Sequence, residues 1–87
     1  MIGFNKFQFK IIIHSHLFNS EIENLIFNYC EQNGLILPDD FRRCHYEFFM
    51  LQNPKSTELL IMFIARKKTQ DDIFREQIEF KIQQLEK

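Results

Sequence analysis

The side chains able to do chemistry are few: His14 and His16, Cys30, the adjacent Cys44 and His45, and the acidic pairs Asp39-Asp40 and Asp71-Asp72. Imidazole and thiolate are good zinc ligands, and His14-x-His16 on a strand would turn both rings to one side. A cysteine nucleophile needs a base within hydrogen-bond reach. Cys44 and His45, as strand neighbours, are expected to diverge across the sheet, and Cys30 to lie on the core stripe of a helix. The acidic pairs fall in a turn and at a helix start, where carboxylates occur for local backbone reasons. No Ser-His-Asp order, P-loop, dinucleotide fingerprint or H-E-x-x-H is present, and Gly3 and Gly34 make no phosphate-cradling loop. The expectation is therefore a non-enzyme, with no catalytic residue, metal, cofactor or small-molecule substrate. One enzymatic alternative uses His14 and His16 as acid and base.

Periodicity assigns the elements that carry these residues. Phe7, Phe9, Ile11, Ile13 and Leu17 alternate with Gln8, Lys10, His14 and His16, which predicts a strand over 7–17 with Ile12 as the exception. Asn19 and Ser20 offer N-cap oxygens, and Ser20-Glu21-Ile22-Glu23 fits a capping box. Ile22, Leu25, Ile26, Tyr29 and Cys30 then recur at helical spacing until Gly34. Leu35-Ile36-Leu37 with Pro38-Asp39-Asp40 reads as a buried connector and turn, or as a short edge strand. The segments 41–52 and 57–68 form a hairpin around Asn53-Pro54-Lys55-Ser56, with Pro54 preset for the turn. Thr69 caps a last helix whose stripe is Phe74, Ile78, Ile82 and Leu85, while Ile73 and Phe80 lie well off it.

The 87 residues make one α+β domain in the order β-α-β-β-α. A right-handed crossover and the doubly apolar strand 57–68 predict a two-layer sandwich with sheet order 1-3-2, three strands, and both helices on one face. This architecture resembles the ferredoxin-like superfold without its final strand, a likeness that assigns no function. It leaves the first strand as an open edge rich in β-formers.

The hairpin register puts Cys44, Tyr46, Phe48 and Met50 beside Ala65, Phe63, Ile61 and Leu59 on one face. The other face carries Arg43, His45, Glu47, Phe49 and Leu51 beside Arg66, Ile64, Met62, Leu60 and Glu58. One face is the core. The second, with Ile12, Phe49, Leu51, Leu60, Met62 and Ile64, is expected to bind a partner, since each side chain removed from water gains roughly 1.5–3 kcal/mol.

A net charge of −1 and a pI near 6.3 exclude a strong positive field over the whole chain. Antiparallel pairing nevertheless gathers Lys6, Arg42, Arg43, Arg66, Lys67 and Lys68 at one end of the sheet, a patch that could contact RNA or DNA. The open face lacks the aromatic pattern of base-stacking sheets, and its aliphatic residues suit proteins better than bases. The apolar run Ile11-Ile12-Ile13 is too short for a signal core or a membrane span, and two cysteines make no disulfide framework. These features point to a cytoplasmic protein-binding module, homodimeric, acting by occlusion or assembly. Small size and a composition suggestive of AT-rich codons fit an inhibitor or accessory protein of the phage or mobile-element type. An RNA- or DNA-binding module is the alternative.

Overall fold

Alternation becomes strand wherever a neighbouring edge is free, and that condition sets the element boundaries. The computed structural model describes residues 3–85, the side chain of Arg43 excepted. The chain runs β1 (Asn5–Ile13), α1 (Asn19–Asn33), β2 (Leu35–Ile36), β3 (Tyr46–Asn53), β4 (Ser56–Lys67) and α2 (Gln70–Leu85). It is an α+β fold with two helices and a four-stranded antiparallel sheet.

β4 pairs with β1 along one edge, Lys6 opposite Ile64 and Ile12 opposite Glu58. Along its other edge it pairs with β3, Tyr46 opposite Phe63 and Leu51 opposite Glu58, the register expected from the Pro54 turn. β2 is the strand the three-stranded expectation lacked. Gly34 adopts φ 64°, ψ 44°, a left-handed conformation that costs glycine little, and its N–H bonds the carbonyl of Cys30 to close α1. The chain then reverses, so that Leu35 and Ile36 pair with Lys67 and Arg66, and the Lys68 N–H donates to the Gly34 carbonyl at 2.9 Å.

That short strand also corrects the expected start of the hairpin. Ile36 occupies the edge of β4 that Arg43 would have used, and Arg43 opposite Arg66 would have set like charges face to face. Residues Arg43–His45 form a 3₁₀ turn instead, and β3 begins at Tyr46. β1 likewise stops at Ile13, before the histidines. α1 starts after Phe18, whose N–H donates to the Glu21 carboxylate at 3.3 Å, so the expected Asn19 or Ser20 cap gives way to one half of a capping box.

The core lies between α1 and one face of the sheet. Ile22, Ile26 and Cys30 of α1 are buried against Leu59, Ile61, Phe63 and Ala65 of β4, with Tyr46 and Leu35 at the margin. Phe9 of β1 stacks on Tyr29 of α1 at 4.6 Å between ring centroids, which fixes the helix over the sheet.

The second helix departs from the expected arrangement. No residue of α2 is buried. Lys68 and Thr69 alone separate it from β4, and Arg66, on the sheet face opposite the core, holds its first turn through Asp72. α2 is thus pinned on the side away from α1 and cannot join it over the core. Neither helix is long and apolar enough to cross a membrane.

Candidate functional site

Successive residues of β4 face opposite ways, and their burial separates the two surfaces of the sheet. Leu59, Ile61, Phe63 and Ala65 are at most 2% exposed, whereas Leu60, Met62 and Ile64 are only half-buried. Pairing sets Lys6, Gln8, Lys10 and Ile12 of β1 on this second face on one side of β4, and Glu47, Phe49 and Leu51 of β3 on the other. Ile12, Phe49 and Leu51 remain 62, 48 and 36% exposed, so no described element covers them. The face is an apolar band with lysines along one margin and a glutamate along the other. The outer edge of β1 has no strand partner among the described residues.

At the end of this face the start of α2 is fixed by a polar cluster. Arg66 donates to both carboxylate oxygens of Asp72, at 2.7 and 3.3 Å, and the Asp72 carboxylate also accepts from the Thr69 N–H at 2.8 Å. The Thr69 hydroxyl accepts in return from the Asp72 N–H at 3.2 Å, so the expected Thr69 cap is one half of a reciprocal capping box. The Arg66 guanidinium, followed by the Thr69 N–H, holds the Asp72 carboxyl well below the usual carboxylate range, and Asp72 in turn raises Arg66. Lys68 pairs with Glu76 one turn further on at 2.8 Å. Beyond this anchor Phe74, Phe80, Ile82 and Leu85 stand exposed. The sequence signalled this helix through Ile73 and Phe80, whose off-stripe positions are more than one packing face requires.

The expected basic patch is partly neutralised by the same anchor. Lys6, Arg42 and Lys67 are exposed, but Arg66 and Lys68 are engaged by Asp72 and Glu76. The Arg43 side chain lies outside the described residues.

The remaining chemical groups regroup. His14 and His16 follow the end of β1 and line an open depression of about 230 Å³ with Ser15, Met50, Gln52 and Thr57, none of which is a carboxylate. Cys30 is buried as expected, and burial pushes its thiol up to about 11. Cys44 and His45 do not diverge: the 3₁₀ turn brings the Cys44 Sγ to 3.5 Å from the His45 Nδ1, and Cys44 is exposed rather than packed beside Ala65. Asp40 approaches the other ring nitrogen at 3.8 Å. Sequence periodicity missed this group because it treated 41–45 as strand. Among the described residues no cluster of His, Cys, Asp and Glu is arranged to hold a metal ion.

Comparison with protein-family models found no match, and the searches of curated proteins and of solved structures found none either.

Proposed function

We propose that this chain is a small protein-binding module that pairs with a second copy of itself through the open sheet face, and that it acts by occlusion or assembly rather than turnover. The observation that carries this reading is the uncovered band of Ile12, Phe49, Leu51, Leu60, Met62 and Ile64 on a sheet whose other face carries the buried core beneath α1. A contiguous apolar face rimmed by charge is the usual form of a protein interface.

The choice of a second copy follows from the register. A twofold axis parallel to β4 keeps each residue at its level along the strands and exchanges the β1 side of one copy for the β3 side of the other. Ile12 and Leu51 share the level of Glu58, Lys10 and Phe49 that of Leu60, and Gln8 and Glu47 that of Met62. Ile12 thus meets the partner's Leu51, Lys10 meets the aromatic ring of Phe49, and Glu47 falls between the partner's Lys6 and Lys10. Both α2 helices emerge at the same end of such a pair, where their exposed stripes can meet. Targets other than a second copy, as for an inhibitor or accessory protein, would use the same band.

Binding to RNA or DNA is less favoured because Asp72 and Glu76 already occupy Arg66 and Lys68. Sedimentation of the wild type against Leu60→Asp and Met62→Asp tests the proposal. The wild type should sediment as a dimer and both variants as folded monomers, since an unpaired charge is costly in a closed apolar interface. A wild-type monomer overturns the reading. A dimer that survives both substitutions overturns the face and leaves the edge of β1 as the contact.

A further inference from the structure

The turn at 38–45 brings three reactive groups together, and its backbone decides their roles. The Phe41 N–H donates to the Pro38 carbonyl at 3.0 Å and the His45 N–H to the Arg42 carbonyl at 2.8 Å, which winds the chain tightly. The Phe41 ring lies along the His45 ring with centroids 6.3 Å apart and steadies it. The Arg42 N–H donates to the His45 Nδ1 at 3.2 Å, so this nitrogen carries the lone pair and the ring proton sits on Nε2, towards Asp40. The exposed Cys44 thiol is 3.5 Å from that same Nδ1. A thiol beside an unprotonated imidazole nitrogen, with a carboxylate behind the ring, is the arrangement that generates a thiolate.

We infer that Cys44 is a thiol–disulfide exchange site, with His45 taking the thiol proton and a small disulfide as co-reactant. The proton of Cys44 passes to Nδ1, and the thiolate attacks one sulfur of the disulfide. The new Cys44–sulfur bond forms as the old sulfur–sulfur bond breaks, and the His45 proton passes to the departing thiolate when that is the stronger base and to solvent when it is not. Cys44 is thereby oxidised to a mixed disulfide while the other half of the reagent is reduced to a thiol or thiolate. Asp40 stabilises the transient imidazolium. Among the described residues the charged groups lining the adjoining cleft are Lys6 and Glu47, and with the exposed Arg42 and Asp40 beside the turn the surroundings of Cys44 carry balanced charge. Protonating Nδ1 sacrifices its bond to the Arg42 N–H. The acceleration is therefore set at about tenfold, below the range of dedicated general-base catalysts.

The test is reaction with dithiobis-nitrobenzoate, followed by thiolate release and by the mass of the labelled peptide. Cys30 serves as the slow internal control because it is buried. At neutral pH the wild-type Cys44 should react about tenfold faster than Cys44 in His45→Gln, and Cys44→Ser should abolish the fast phase. The wild-type rate should rise with pH in two steps and that of His45→Gln in one. Asp40→Asn, at an exposed position, should slow the reaction by a smaller factor with the far-UV spectrum unchanged. Equal rates in wild type and His45→Gln, a one-step wild-type profile, or first labelling at Cys30 would each overturn the assignment. Lys6, Glu47, Met62 and Ile64 line both this cleft and the face proposed for the second copy, so all rates are compared at one concentration at which sedimentation shows a monomer.

Discussion

α1 and α2 are of similar length and each carries an apolar stripe, yet Ile22, Ile26 and Cys30 of α1 are buried and no residue of α2 is. The difference lies in the connections. α1 is closed by a left-handed glycine that reverses the chain into β2, while its Tyr29 stacks on Phe9 of β1. α2 follows β4 after Lys68 and Thr69 alone and is clamped by Arg66, whose side chain belongs to the opposite sheet face. An amphipathic stripe therefore does not say which surface a helix lies against, and the connection decides whether it reaches the core face of its own sheet.

The contrast can be tested by substitution on the two helices, and the largest effect belongs to the buried one. Ile26→Ala leaves a cavity at a fully buried site and should lower the free energy of unfolding by about 2–5 kcal/mol in a urea titration. Gly34→Ala keeps open space around the new methyl group but forces it into the left-handed region, and should cost about 1 kcal/mol in the same assay. Acid should act on α2 before α1. Asp72 has a lowered carboxyl pKa, so its ion pair stabilises fully above the unfolded value of about 4 and is lost as pH falls through the folded one. Helical signal from α2 should thus decline first on acidification, and Asp72→Asn should remove that early phase. The smallest effect is expected for Ile78→Ser at low concentration, within about 0.5 kcal/mol on monomer unfolding, because the side chain is already exposed. A cost comparable to that of Ile26→Ala would mean that α2 packs within its own chain.

Much of the architecture was legible in the sequence because it rests on local signals. The alternation of β1, the stripe of α1 with its glycine stop, the Pro54 turn and its register, and the Thr69 cap all follow from residue type and spacing. The two-faced character of β4 was equally visible in its unbroken apolar run. What escaped depends on competition between distant segments. Leu35 and Ile36 take the end of the β4 edge, and that exclusion converts Arg43–His45 from strand to turn and brings Cys44 to His45. The position of α2 escaped because Arg66–Asp72 pairing is a choice between two sheet faces that helical periodicity does not record.

The central claim is that the open sheet face and α2 are covered by a second copy of the chain. Amide hydrogen exchange across a dilution series tests it most directly. An isolated helix of this length is marginal in water, so α2 amides should exchange rapidly at low concentration and gain protection as concentration rises, while α1 stays protected throughout. Protection of α2 equal to that of α1 at the lowest concentration, or none at the highest, would contradict the account.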